Sequence, residues 1–493
     1  MASALAAWIE RRPAAAFVAF AALHGAVWTA LPSVLYQNLP LDLIEALTYG
    51  REWQLGYDKL PPLPWWLVEI ADRLFASDVA YYALSEIVIV ATFAAVFATA
   101  RPLVGAVGAL VAVLIIDGLH YFNYTAPKFN HDVIQLPLWA LAGLAFRSGL
   151  RHGRPADWLL LGLALGIALW AKYFVVVLAA PLALFLLIDR DARAALATPG
   201  PWVAMAAALV VTAPHVVWLV RNDFLPFAYA SARAAPSRGP LDHLWHPLVF
   251  AATQVAALVP ALAIAAPLFW PRPAVAAPKA DDFDRRIVTV LAFGPAATVL
   301  ALALVTGRGV VAMWGYPLWL FLGLWVVMTS RAVIDRARLA RIAGVWAIVF
   351  AGFALAFVIN YTVLPRIDHR YRAAFFPGDR LATEIVQRFR AATGEPLRYV
   401  VASMWVGGNV SHYSAERPQV LIDGDPRRAP WIDLADLKAR GAAVVWVVGE
   451  RTRVPAEYQA VAPDARVGTP FTLPARNGIG EIEVGWAILP PAK

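Results

Sequence analysis

The stretch Asn38–Glu69, N-L-P-L-D-L-I-E-A-L-T-Y-G-R-E-W-Q-L-G-Y-D-K-L-P-P-L-P-W-W-L-V-E, follows directly on a long apolar run yet carries four acids before its double proline. Read as a helix from Leu41, at about 100° per residue, it sets Asp42, Glu45, Tyr49 and Glu52 on one narrow arc. Leu43, Ile44, Leu47 and Leu55 fall on the other side. Such a helix is expected to lie in a membrane interface, apolar side down and acids toward water. Pro61 and Pro62 are expected to end it and to hold Lys59 on a stiff turn. A carboxylate face beside a fixed lysine reads as a site. The plainer account is solvated charge, with Asp42 capping a helix after Pro40.

The rest of the chain says what kind of surface this is. Of 493 residues, 60% are hydrophobic and only 15% charged, against about a quarter charged in soluble proteins. The chain is therefore read as an integral membrane protein of many helical spans. Its net charge of +8 is topology signal, so no nucleic-acid partner is inferred. The absence of cysteine excludes disulfides, thiolate metal sites and cysteine nucleophiles, and fits an oxidising periplasm. Arg11-Arg12 before an apolar run reads as the start of an uncleaved first span.

Runs long enough to cross a bilayer, about 17–25 residues each, fall near 15–36, 81–100, 102–120, 133–149, 201–220, 247–270, 287–306, 313–330 and 341–362. The run Trp158–Ile188 is too long for one span and short for two. Arg147, Arg151 and Arg154 precede it and Arg190 and Arg193 follow it. Both flanks are thus cytoplasmic by the positive-inside rule, and the chain must go out and come back. The turn falls at Ala171-Lys172-Tyr173, below the outer surface. A lysine at that depth is tolerable only in a protein cavity or a water-filled cleft. The total is about 11 spans, with a cytoplasmic N-terminus and an outer C-terminus. Pro271–Asp284 is a Pro/Ala-rich cytoplasmic loop. The tail differs: Leu397–Ala402 and Ala442–Val448 read as buried strands, and Asp379–Ala392 and Trp431–Arg440 as helices. Two domains are expected, a membrane domain over 1–362 and a small outer α/β domain over 363–493.

Three further motifs fall on the outer side. Tyr121–Asp132 ends in Asn130-His131-Asp132 at the start of a span, where an anion suits the helix dipole and Asp132 could simply be a cap. No ligand pair at metal spacing accompanies His131, so no metal is expected. Thr306-Gly307-Arg308-Gly309 puts an arginine between two span ends, where it suits phosphate oxygens or merely snorkels. Asp42, Lys59, Asp132, Lys172 and Arg308 would then share one side. Three cations and two acids suit a phosphate-bearing lipid and a hydroxyl acceptor. No glycine-rich nucleotide cradle is present.

The loop L-D-L-I-E-A-L-T-Y-G-R-E-W-Q-L-G-Y-D-K-L-P-P-L, the N-H-D before a span, W-A-K-Y at a short turn and G-R-G-V-V-A-M-W-G-Y-P-L together resemble the bacterial polyprenyl-phosphate-dependent glycosyltransferases. These are C-type (GT-C fold) enzymes grouped with protein O-mannosyltransferases and the lipid A aminoarabinose transferase. The resemblance implies a multi-span helical GT-C domain with interfacial helices in the first outer loop, plus the small α/β domain. It implies transfer, with inversion, from a polyprenyl-phosphate sugar, such as an undecaprenyl one, to a periplasmic acceptor such as lipid A, lipopolysaccharide core or another glycolipid. The enzyme would sit among inner-membrane lipids, its site facing the periplasm, with no cofactor. By position Asp42 would be the catalytic base, with Glu45 sharing the role, although Leu43 replaces the second acid of the usual pair. Lys59, Lys172 and Arg308 would bind the donor phosphate, and Asp132, His131 and Tyr57 the substrate. The alternatives are a lipid-linked sugar flippase or transporter using the same charges as a path, or a protein O-mannosyltransferase-like enzyme acting on proteins.

Overall fold

The computed structural model describes residues 2–271, 280–370, 372–448 and 453–492; of the expected loop 271–284, residues 272–279 lie outside them. The protein is mostly helical, a multi-pass membrane protein with a small C-terminal sheet. Seven helices among the described residues are long and apolar enough to cross a bilayer: Pro13–Leu35, Asp78–Asp117, His131–His152, Gly200–Arg221, Asp242–Leu268, Asp282–Thr306 and Arg336–Thr362. The 40 residues of Asp78–Asp117 are two helices joined at Gly105, whose φ of 72° only glycine adopts readily, three residues after Pro102. The run Trp158–Ile188 is also two helices, Pro155–Ala171 and Val176–Ile188, with Lys172 extended between them. The expected span 313–330 is not one helix. A single turn at Ala312–Gly315 and a non-helical stretch through Pro317 precede a helix of only nine residues, Leu322–Ser330. The apolar run concealed that Gln254 occupies the space where Gly315 lacks a Cβ.

The chain forms two compact units. The first comprises 1–31, 59–63 and 82–357 and is the helical bundle. Its tightest pairing is between Pro155–Ala171 and Gly200–Arg221. Gly162 and Gly166 face that neighbour, and a Cβ on Gly162 would stand 2.2 Å from the Ala204 carbonyl oxygen. This is a small-xxx-small contact of the kind that packs helices in lipid, where no hydrophobic force draws them together. The same unit buries an ionisable trio. His24 lies with Nε2 3.2 Å from Glu86 and Nδ1 3.1 Å from Asp117. The Trp346 indole donates to the other Asp117 oxygen at 2.7 Å. The three groups answer one another's charge, as buried ionisable residues in spans must.

The second unit comprises 32–58, 64–81 and 358–493. Its sheet has strands β1 (Tyr399–Ala402), β2 (Gln419–Ile422), β3 (Ala442–Val447), β4 (Arg466–Val467), β5 (Phe471–Pro474) and β6 (Glu481–Leu489). The order is β2-β1-β3-β6-β4, with β5 also on β6; β2-β1-β3 is parallel and β6 antiparallel to β3. Alternate residues feed two cores: Val400 and Ala402 pack with Leu381, Ile385 and Phe389, while Tyr399 and Val401 pack with Leu437 and Tyr458.

The helix read from Leu41 is present but shorter, Leu41–Gly50, and it does not lie with its acids in water. Every residue from Leu43 to Gly50 is buried, Glu45 and Tyr49 included, while Leu41 and Leu55 are exposed. The helix Met404–Tyr413 packs along it, and Gly408 brings its backbone against Ile44 and Thr48. Prolines 61 and 62 do not end it: its last helical residue is Gly50, eleven residues before Pro61, where a Cβ would stand 2.3 Å from the Trp65 carbonyl oxygen.

Candidate functional site

In the first unit the site starts at a helix cap. Asn130, not Asp132, caps His131–His152: its side-chain oxygen accepts from Asp132 N at 2.9 Å and Val133 N at 3.2 Å. The Asp132 carboxylate is thereby released from capping. It meets Lys172 Nζ at 2.6 Å and accepts from Gln135 Nε2 at 3.1 Å. Both members of the pair are buried. The break in the helix at Lys172 aims the ammonium there, and the rings of Phe174 and Trp314 flank it at 5.7 and 5.8 Å. His131 Nε2 lies 3.0 Å from the Pro61 carbonyl oxygen; a carbonyl only accepts, so the imidazole donates. This ties the turn that carries Lys59 to the residue preceding Asp132.

A short helix, Leu225–Arg233, contacts Lys59, Arg308 and the residue after Lys172. Tyr173, next to Lys172, stacks on Phe227 with ring centroids 5.3 Å apart. Lys59 Nζ stands 5.1 Å over the Tyr229 ring. Arg308 Nη1 donates to Ser231 Oγ at 2.9 Å. Phe227 and Ser231, one turn apart, thus contact Tyr173 and Arg308, while Tyr229, about 200° round the helix from Phe227, contacts Lys59. Sequence reasoning passed over this helix because it lies in a loop between two spans, Gly200–Arg221 and Asp242–Leu268, without charged motifs of its own. The available signal was Pro226 at its first turn.

Asp42, Glu45 and Tyr57 belong to the second unit. Asp42 occupies the first turn of Leu41–Gly50, where the dipole favours an anion, and is half-buried. Glu45 follows one turn on. Tyr57 is buried and its hydroxyl is used twice on the loop backbone: it donates to Tyr49 O at 2.7 Å and accepts from Gln54 N at 3.1 Å. Its position braces the loop. Tyr49 in turn stacks on Trp65 and donates to Asp58 Oδ1 at 2.5 Å. Arg428 Nε donates to Asp58 Oδ2 at 2.7 Å and also pairs with Asp423. Burial, then the carboxylates of Asp58 and Glu45, push the Tyr49 hydroxyl well above its ordinary range, so it stays a donor. Burial works to lower Arg428, but Asp58 overrides it and raises the guanidinium. Arg428, hundreds of residues from Asp58 in sequence, was not legible as its partner. Burial also raises Glu52, against Arg51 and a hydrogen bond from Gln419.

Residues 59–218 match the sequence model of the family described as dolichyl-phosphate-mannose-protein mannosyltransferase. That segment contains Lys59, His131, Asp132 and Lys172. The fold is shared along nearly the whole chain with ArnT from Cupriavidus metallidurans bound to undecaprenyl phosphate: TM-score 0.65, 14% identity, 96% of this chain and 97% of that one. The apo form of the same protein gives a TM-score of 0.61 and 14% identity over 99% and 100% of the two chains. No significant match to a curated protein sequence is found. The resemblance to GT-C-fold, polyprenyl-phosphate-dependent glycosyltransferases drawn from the sequence is borne out at the level of fold and of this family segment.

Proposed function

We propose that a chain with this fold and this array of cations is a membrane glycosyltransferase. It moves a sugar from a polyprenyl phosphate to an acceptor hydroxyl on a lipid or glycan. The observation that carries the reading is that Lys59, Arg308 and Tyr173, the neighbour of Lys172, all contact Leu225–Arg233, with Lys172 fixed by Asp132. That ArnT, of the same fold, is bound to undecaprenyl phosphate supports a polyprenyl-phosphate donor here. The donor would enter from the bilayer, the enzyme lying in the bacterial inner membrane with its site toward the periplasm.

In the proposed step Asp42 takes the proton of the acceptor hydroxyl. The acceptor oxygen forms its bond to the anomeric carbon from the face opposite the phosphate, and the bond from that carbon to the phosphate oxygen breaks. Its electron pair leaves with the polyprenyl phosphate, and the configuration inverts. The leaving group departs ionised, so it needs cations more than an acid; Lys59, Lys172 and Arg308 supply them, typically the largest catalytic term in such sites. Asp132 and His131 act one step back, the first holding Lys172 and the second the Lys59 turn. Glu45 sits one turn from Asp42 and tunes the charge of that helix end.

The test is transfer from a labelled polyprenyl-phosphate sugar in proteoliposomes, with lipid A, core glycan and peptide acceptors compared. Asp42→Asn is expected to abolish transfer in a folded protein; near-normal transfer by that variant would remove Asp42 as base. One observation favours the rival, a lipid-linked sugar flippase: the His24–Glu86–Asp117 trio lies inside the spans, where translocation paths place ionisable groups. Movement of the labelled donor across vesicles without any acceptor would decide for that rival.

A further inference from the structure

A cavity lies in the first unit at the far end of Val176–Ile188 from Lys172. That helix begins four residues after Lys172 and ends at the cavity, and at about 1.5 Å per residue its ends stand roughly 20 Å apart. The cavity measures about 740 Å³ and is bounded by the end of Val176–Ile188, the start of Asp282–Thr306 and the helix Leu322–Ser330. Its rim carries Arg285, Arg286 and Thr289, together with the acids Asp189 and Asp282; its wall is Phe185, Val290 and Trp325. The volume is within the range of small-molecule sites.

We infer that this cavity binds the headgroup of an anionic glycerophospholipid of the leaflet opposite the Lys172 turn. The two arginines differ. Arg286 is committed: Nε donates to Asp189 Oδ2 at 2.7 Å, and Asp191 takes another of its nitrogens. Among the described residues Arg285 pairs only with Asp282, at 3.3 Å, and both of those side chains are about half exposed. An exposed pair of that kind holds its partner weakly, so Arg285 turns to a phosphate at little cost. Guanidinium and phosphate match in geometry as well as in charge. The Thr289 hydroxyl is committed, accepting from Trp325 Nε1 at 3.2 Å and donating to the Arg285 carbonyl oxygen at 2.7 Å, so the Arg285 guanidinium is the donor on this rim.

Below this rim the wall is apolar and runs onto the lipid-facing side of Val176–Ile188, where Leu184, Leu187 and Ile188 are exposed. A headgroup at the arginines therefore has a continuous surface for its acyl chain. A soluble anion would use the rim and leave that surface bare. Basic pockets between spans at the cytoplasmic side commonly hold anionic headgroups, and the sequence places this end of the bundle on that side. The inference is independent of the transferase reading and uses none of its residues.

The test is native mass spectrometry of the delipidated full-length protein, titrated with phosphatidylglycerol, phosphatidylcholine and undecaprenyl phosphate. Wild type is expected to bind phosphatidylglycerol at least about tenfold more tightly than phosphatidylcholine, the equivalent of about 1.4 kcal/mol. Arg285→Gln is expected to lose that preference while its lipid-free unfolding temperature and sugar transfer stay at wild-type values. Met328→Trp, which fills the cavity and leaves its charges in place, is expected to lose binding of the lipid as well. Equal binding of the two phospholipids by wild type would overturn the proposal. So would a preference that survives Arg285→Gln, or displacement of phosphatidylglycerol by equimolar undecaprenyl phosphate, which would give the cavity to the donor lipid instead.

Discussion

Replacing Lys172 by methionine keeps the length of the side chain and removes its charge. Among the described residues Asp132 then retains only the Gln135 amide, at 3.1 Å, in place of an ammonium at 2.6 Å. The pair is about nine-tenths buried on each side, at 10% and 7% side-chain exposure, so solvent does little to soften the loss. Stranding one buried charge typically costs about 3–5 kcal/mol of stability. If Lys172 also contacts the leaving phosphate, transfer falls a further 10²–10³-fold, about 2.7–4 kcal/mol at the transition state. The two losses separate in a double variant. Lys172→Met/Asp132→Leu removes both charges, and apolar replacement of a whole buried pair is commonly neutral or stabilising. Its resistance to denaturation in detergent is expected to return to within about 1 kcal/mol of wild type, the remaining cost being the unpartnered Gln135 amide. Transfer from the labelled donor is expected to stay lost. If the double variant recovers both stability and transfer, the lysine is a structural counter-ion, and its assignment to the phosphate is refuted.

Three other outcomes follow from the second unit. A Cβ at Gly378 would stand 2.3 Å from Asn409 Oδ1 and 2.5 Å from Asn38 Oδ1, so Gly378→Ala is expected to cost about 1–3 kcal/mol, read as faster hydrogen exchange across β1–β3. Burial, reinforced by Arg417 against Asp72, holds the His412 imidazole down at about 4. The unfolded chain binds its proton near the ordinary 6.5, so between those values the unfolded state holds more protons and stability falls as the pH drops. The full effect is about 3 kcal/mol, and His412→Leu should flatten that part of the profile in an unfolding titration from pH 7 to 4. Tyr49→Phe removes the bond to Asp58 but leaves Arg428 in place. It is expected to cost about 1–3 kcal/mol and to loosen the loop that Tyr57 braces, seen as protease cutting between residues 50 and 58.

Seven long apolar helices among the described residues match expected runs, against about 11 spans expected, because apolar runs of bilayer length admit few readings. The break at Lys172 was legible because arginines on both flanks demanded a return. Strands β1 and β3 were legible as short apolar runs between helical patterns. The surroundings of Leu41–Gly50 were not. Its acids repeat as those of a surface helix do, and the element that covers them, Met404–Tyr413, arrives more than 350 residues later in the chain. The same distance hid Arg428 from Asp58. The cap at Asn130 was available, since asparagine before the first helical residue is the commonest of signals, but the adjacent aspartate drew the assignment. At 313–330 hydropathy alone suggested a span, whereas Gly315 and Pro317 marked the irregular stretch that the structure contains.

The trio around His24 bears on any effort to harden this protein for structural or industrial work. Substituting the histidine alone would maroon two carboxylates in hydrocarbon, and substituting either carboxylate would upset the balance of the rest. Exchanging His24, Glu86 and Asp117 together for side chains of like volume leaves no ion behind, and buried ionic sets replaced whole in this way often yield sturdier proteins. The three positions are best treated by the engineer as one residue.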